Sequence, residues 1–125
     1  MILEFTKRTM QPGVTALVMR GSIHCGPECA RLEREVDAMI AALDTRVIFD
    51  MAGVTHADSA AIGAIVRCFA KLKIAGGGLR IAAAQSMVDH SLRLTKVHKV
   101  IEIFSTVEQA AQGFSGPEAT AGQPA

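Results

Sequence analysis

An α/β fold, one domain built on a mixed sheet of about five strands packed with about four helices, follows from three observations on this sequence. Short apolar runs without alternation, VIFDM at 47–51 and LRIAA at 79–83, are the pattern of strands covered on both faces of a sheet. They alternate with segments of helical spacing, and such alternation builds right-handed crossover units with parallel strands. Ahead of them, two strand-like runs flank the turn dipeptide Pro12-Gly13, which adds an antiparallel pair and makes the sheet mixed.

The first two elements are ILEFTKRT and VTALVMRG, a hairpin that sets one edge of the sheet. From Pro27 the spacing changes. Leu32, Val36, Met39, Ile40 and Leu43 recur at helical intervals while Arg31, Arg34, Glu35 and Asp37 take the other face, which predicts the first helix. VIFDM predicts a central strand. Ile62, Ile65, Val66, Phe69 and Leu72 then mark one face of a second helix, with Arg67, Lys71 and Lys73 opposite, and Gly76-Gly77-Gly78 ends it. LRIAA is the next buried strand, Val88 to Leu94 a shorter amphipathic helix, VIEIF the last strand and TVEQAAQGF a terminal helix. Beyond Phe114 the tail SGPEATAGQPA is small, polar and rich in Pro and Gly, so the domain is expected over residues 1–114 and a disordered tail over 115–125. No internal repeat is visible.

Composition narrows the function. Half of the 125 residues are apolar and a fifth are charged, enough for one domain with a real core. Thirteen basic and 12 acidic residues are spread along the chain, with no basic stripe to track a phosphate backbone, so nucleic acid is not an expected partner. No apolar run approaches the roughly 18 residues that span a bilayer, and MILEFTKRTM lacks the layout of a signal peptide. No membrane association is expected, and a cytoplasmic location is. Three cysteines argue for reduced thiols rather than a disulfide framework, with Cys68 in the core.

Several motifs suggest chemistry and fail on physical grounds. Gly76-Gly77-Gly78 runs from helix into strand, the reverse of a phosphate-cradling loop, and reads as a helix C-cap with a turn. His24-Cys25-Gly26-Pro27-Glu28-Cys29-Ala30-Arg31 spells H-C-x5-R and resembles the phosphate-binding loop of protein tyrosine phosphatases. That loop must present consecutive amides to a dianion, yet Pro27 has none and Glu28 brings a negative charge into the cradle. A milder alternative is a redox-sensitive Cys25 whose pKa is lowered by the helix N-terminus. His24, Cys25 and Cys29 fall short of a metal site in number and spacing, and His56, His90 and His98 form no ligand pair with them. No catalytic triad, carboxylate pair or dinucleotide fingerprint stands out, so neither an enzyme nor a cofactor is expected.

Asp58 and Ser59 remain, between the central strand and the second helix. Both are preferred N-caps, worth about 1 kcal/mol. The same position suits a switch: a phosphate on Ser59 would sit at the positive end of a helix dipole and add roughly −1.5 to −2 charges to the surface. A partner docked there would meet both bulk and charge, and a penalty of about 3 kcal/mol would weaken binding on the order of a hundredfold.

VIFDMAGVTHADSAAIGAIV resembles the central motif of STAS domains, the family of sulfate-transporter C-terminal domains and bacterial anti-sigma factor antagonists. Asp50, Asp58, Ser59, Ile62 and Gly63 match its pattern of an apolar strand ending in Asp, a short loop, and Asp-Ser heading a helix. LRLTKVHKVIEIFSTVEQA resembles the family's closing helix, strand and helix, so the likeness covers residues 1 to about 112. It implies a non-catalytic interaction domain. In the antagonist branch, the serine is phosphorylated by a partner that is both an anti-sigma factor and an ATP-dependent serine kinase. Phosphorylation releases the antagonist, and a serine phosphatase resets it. Carried over, Ser59 is the phosphoacceptor. The contact surface is the helix head (Asp58, Ser59, Ala60, Ile62, Gly63) with the loop Ser22 to Gly26, including His24 and Cys25, and Asp50 is a structural residue near the site. The resemblance also admits an unphosphorylated STAS subunit of a stress-signalling assembly or a lipid-transport ATPase. Two departures are visible: Ala61 stands where the family often has glycine, and the loop after Gly21 carries no acidic residue.

Overall fold

The structure is a computed structural model and describes residues 3–24 and 26–114. The hairpin forms as the sequence predicts: β1 (Glu4–Gln11) pairs antiparallel with β2 (Val14–Ile23) around a turn in which Gly13 takes φ +83°. α1 (Pro27–Ala41) follows, with Pro27 in its first turn, where the missing amide costs nothing. Then come β3 (Arg46–Ala57), α2 (Ser59–Ile74), β4 (Gly78–Ala82), α3 (Ser86–Leu94), a short 3-10 turn (Val97–Lys99), β5 (Ile103–Phe104) and α4 (Val107–Ala111).

The sheet runs β1-β2-β3-β4-β5, antiparallel at the first pair and parallel thereafter. β3 is its centre, and alternate residues feed two cores. Val47, Phe49 and Met51 pack with Leu32, Val36, Ile65, Leu72 and Leu92 of α1, α2 and α3. Ile48 packs the other way, with Val14, Ala16 and Ala82, under Val107 and Ala110 of α4. A run without alternation in sequence is thus an alternation between two apolar layers.

Four expectations need correction. Leu43 is not on the α1 face: the helix ends at Ala41, and Leu43 sits in the following turn at φ +63°, 88 % exposed. The buried face of α2 is rotated from the predicted one and consists of Ala61, Ile62, Ala64, Ile65, Cys68 and Leu72, while Val66 faces out. Small Ala61 and Ala64 let the helix lie close to the sheet, and a periodicity drawn only through large side chains skips them. VIEIF is mostly not strand; Val97–Lys99 turns, Ile101 drops into the core and only Ile103–Phe104 pairs with β4. TVEQAAQGF is helical only over Val107–Ala111. The tail expected to be disordered lies outside the described residues, as does Cys25.

Just past the end of α2, Gly76 takes φ +89°, the C-cap turn expected of the three glycines, and β4 begins at Gly78. At Gly77 a Cβ would stand 1.9 Å from the Thr45 carbonyl oxygen, so only glycine fits. α1 and α2 are clasped on their outer side by Glu33, whose carboxylate takes Arg67 at 2.8 Å and Lys71 at 3.4 Å, and by Asp37 with Lys71 at 3.1 Å. The Arg67 hydrogen bond, reinforced by the charges of Arg67 and Lys71, holds the Glu33 carboxyl below the usual range.

Candidate functional site

The site is assembled where β2 and β3 end. β3 does not stop near Asp50 and pass through a short loop; it continues as strand to Ala57. Two shifts in the β2–β3 register, between Val18 and Arg20 and between Gly21 and Ser22, carry the pair to Ser22 opposite His56 and Ile23 opposite Ala57. The shifts need close backbone approach. At Gly53 a Cβ would lie 2.8 Å from Arg20 Cγ and 2.9 Å from the Met19 carbonyl oxygen. The Asp58 amide then donates to the Ile23 carbonyl at 3.2 Å, and the chain turns directly into α2.

Asp58, not Ser59, is the N-cap. Its backbone is extended, and its Oδ1 accepts the Ala61 amide at 2.8 Å. Ser59 is the first helical residue, exposed, and among the described residues its hydroxyl has no hydrogen-bond partner. Of the two residues whose types suit an N-cap, Asp58 therefore does the capping. The amides of Ser59 and Ala60 precede the first intrahelical bond, from Ile62 to the Asp58 carbonyl, so the surface beside the hydroxyl carries the positive end of the helix. Ser59, Ala60 and Gly63 share one stripe at helical spacing and none is buried. Ile62 is 7 % exposed and belongs to the core, so it anchors the helix instead of meeting a partner.

Across from this stripe stand the end of β2 and the loop after it. Ser22 lies in β2 itself, half-buried, with its hydroxyl 3.3 Å from that of Thr55. His24 Nδ1 is 3.9 Å from Asp58 Oδ2, and the His24 and His56 rings have centroids 5.3 Å apart. Gly26 is exposed ahead of α1 at φ +104°. Thus the structure places Ser22 and His24 beside the residues that lead into Asp58 and Ser59. His56 and Thr55 join them unforeseen, because only the parallel register of β2 and β3 sets residues 22 to 24 against 55 to 58. Asp50 is not part of the cluster. It sits mid-strand between Val18 and Ala82, 9 % exposed, and accepts the Ala52 amide at 3.2 Å, which braces the chain just before Gly53.

Among the described residues, no imidazole or carboxylate hydrogen-bonds the Ser59 hydroxyl; His24 faces Asp58 instead. The Arg31 required by the phosphatase-like motif is committed elsewhere: its Nη1 donates to the Leu3 carbonyl at 2.6 Å, and its guanidinium stacks 5.2 Å from the Phe5 ring. Cys29 donates to the His24 carbonyl at 3.1 Å, and Cys68 lies in the core, where burial pushes its thiol up to about 12. Among the described residues no three His, Cys, Asp or Glu side chains are grouped to hold a metal ion, and no helix is long and apolar enough to cross a membrane.

A model of the STAS domain matches residues 7–110 of the chain. Solved structures share the fold. An anti-sigma factor antagonist from Mycobacterium paratuberculosis superposes with a TM-score of 0.78 at 18 % identity, over 90 % of this chain and 94 % of that one. The phosphorylated form of the Bacillus cell fate determinant SpoIIAA gives 0.65 at 12 % identity, over 86 % and 96 %. The STAS domain of a SulP transporter from Vibrio cholerae gives 0.63 at 18 % identity, over 82 % and 80 %.

Proposed function

The chain belongs to the STAS domain family, and on that premise we infer that it is a cytoplasmic bacterial anti-sigma factor antagonist working by partner switching. Unmodified, it binds an anti-sigma factor that is also a serine kinase of the ATP-binding type. Phosphorylation of Ser59 by that partner releases it, and a serine phosphatase restores it. The observation that carries this reading is the division of labour at the head of α2: Asp58 caps the helix, which leaves the Ser59 hydroxyl exposed with no structural duty. A side chain so placed can be modified without unfolding the domain.

The docking surface comprises Asp58, Ser59, Ala60 and Gly63 with Ser22, His24, Cys25 and Gly26. The small Ala60 and Gly63 leave the first turns of the helix open to close approach. A phosphate on Ser59 would be held by the helix dipole and the amides of the first turn. It would also face the Asp58 carboxylate, so the modified surface differs sharply in charge from the free one. That the structural neighbour SpoIIAA was solved phosphorylated fits this reading.

A second reading rests on one feature: residues 21 to 26 contribute no carboxylate to the surface opposite Ser59. Such a surface also suits a constitutive STAS subunit of a larger complex, in which Ser59 stays unmodified. One experiment separates the two. The domain and its Ser59→Ala variant are incubated with ATP, magnesium and ATP-binding anti-sigma proteins of the source genome, and intact mass is read. Gain of one phosphate by the wild type alone is the expected result. A stable complex recovered with the mass unchanged supports the constitutive subunit and ends the switching proposal.

A further inference from the structure

The domain has two poles, and Ser59 stands at only one of them. β2, β3, β4 and β5 run parallel, so α1, α2 and α3, which connect them in turn, each travel back and end at the pole where those strands begin. All three helices pack into one core, on the same face of the sheet. Their C-terminal ends therefore share the pole remote from the head of α2. The turns there are also joined directly: the Gly78 amide donates to the Thr45 carbonyl at 2.9 Å, and Val100 borders the same hollow as Lys73 and Gly76.

Each of these ends exposes a large aliphatic side chain. Leu43 follows α1, Ile74 is the last residue of α2 and Leu94 the last of α3; Ile74 is 88 % exposed, Leu94 71 %, and Val100, just after the 3-10 turn, 57 %. Six large apolar side chains are exposed among the described residues, and these are four of them. Lysines stand between them. Lys73, Lys96 and Lys99 are exposed and make no ion pair among the described residues, whereas Lys71 and Arg93 hold Asp37 and Asp89. The carboxylates of the same turns are occupied: Asp44 accepts the Thr15 hydroxyl at 2.8 Å, and Glu102 lies 3.4 Å from Arg80. Lysines near a helix C-terminus complement its dipole, which accounts for the charge but not for the aliphatic side chains beside it.

We propose that this pole rests on an anionic lipid surface, with the aliphatic side chains entering the headgroup boundary and the three lysines meeting lipid phosphates. Surface binding of this kind combines apolar contact with attraction to negative headgroups, and it needs no spanning segment. The absence of a helix long and apolar enough to cross a membrane is consistent with it. Charge complementarity selects the occupant: unpaired lysines require a negative partner, and their long apolar stems let the ammonium groups reach headgroups while the neighbouring aliphatics are buried. The shape agrees. The side chains project from separate helix ends instead of lining a groove, so a broad surface can take them all at once, and a single peptide segment cannot. Because Ser59 lies at the other pole, the head of α2 stays open to a protein partner, whether or not Ser59 is phosphorylated.

The test uses the full chain and flotation with two kinds of vesicle, phosphatidylcholine alone and phosphatidylcholine mixed with phosphatidylglycerol. The protein is expected to float with the anionic vesicles only, and less as salt is raised. A lysine near an anionic leaflet is worth about a fivefold gain in partitioning, so Lys99→Gln should lower binding by about fivefold and the triple variant with Lys73→Gln and Lys96→Gln by more than about tenfold. Ile74→Ser combined with Leu94→Ser should weaken it by about tenfold, through lost apolar contact. All these positions are exposed, so folding should persist. Arg34→Gln, which removes an exposed cation from the side of α1, should leave binding unchanged. No flotation, equal flotation with both vesicles, undiminished binding by the triple or the double variant, or an equal loss in Arg34→Gln would each overturn the proposal. Self-association without flotation, abolished by the double variant, would overturn it too and give this face to a second copy of the chain.

Discussion

Asp58 Oδ1 accepts the Ala61 amide at 2.8 Å, and this single bond decides what Ser59 is free to do. Because the cap is Asp58, removal of the two adjacent polar groups has unequal effects. Asp58→Ala should lower stability by about 1 kcal/mol, the usual loss for an N-cap, while Ser59→Ala should change it by less than about 0.5 kcal/mol. Urea unfolding followed by circular dichroism measures both. Equal losses would return Ser59 to a structural role.

Gly53 governs how the strands deliver the site. A Cβ there meets the Met19 carbonyl oxygen at 2.9 Å, and a backbone atom in a central strand pair cannot swing aside as a side-chain tip can. Gly53→Ala is expected to cost about 1–3 kcal/mol, the range for overpacking. It should also disturb the amides of Ser22 and His56, which lie across the next register shift. Thermal unfolding and amide NMR shifts check the two parts separately.

The clasp between α1 and α2 makes part of the stability depend on acid. Hydrogen bonding to Arg67 lowers the Glu33 carboxyl below its ordinary 4.5 in the folded chain, so its contribution is fully present above the unfolded value. It is lost as pH falls through the lower folded value. Glu33→Gln should therefore be less stable than the wild type near neutrality, by no more than about 1 kcal/mol for a pair at the surface. The gap should close in acid, below the folded value. Urea midpoints measured across pH for both proteins test this, and a gap that persists unchanged at low pH would rule out the ionic origin.

The Cys68 thiol offers the opposite sign. Burial raises it to about 12, so the folded chain holds its proton where the unfolded chain, near 9, gives it up. Its contribution is intact below pH 9 and fades as pH climbs toward 12. At mild alkaline pH iodoacetamide should leave Cys68 unmodified in the native protein and label it in urea. Mass spectrometry of tryptic peptides distinguishes the two, and native labelling would show that α2 opens readily.

How much was legible beforehand differs by element. Hairpin, crossover helices and central strand were readable because turn dipeptides and apolar periodicity act within a few residues of each other. The true face of α2 was not, because Ala61 and Ala64 are selected by closeness to the sheet and carry little hydropathy signal. The two-residue β5 was not either, since VIEIF has the composition of a strand while Ile101 is claimed by the core.

By itself the sequence determined that this is one α/β layer structure and that an Asp-Ser pair stands at a strand-to-helix junction, for both are encoded in local spacing. Tertiary structure alone decided which of the pair caps the helix, which histidine lies beside Asp58, and that Asp50 stays in mid-strand. Those outcomes depend on the β2–β3 register, a long-range pairing that brings residues some thirty positions apart into contact. A register is a choice among offsets made by the whole packed core, and no short stretch of the chain carries it.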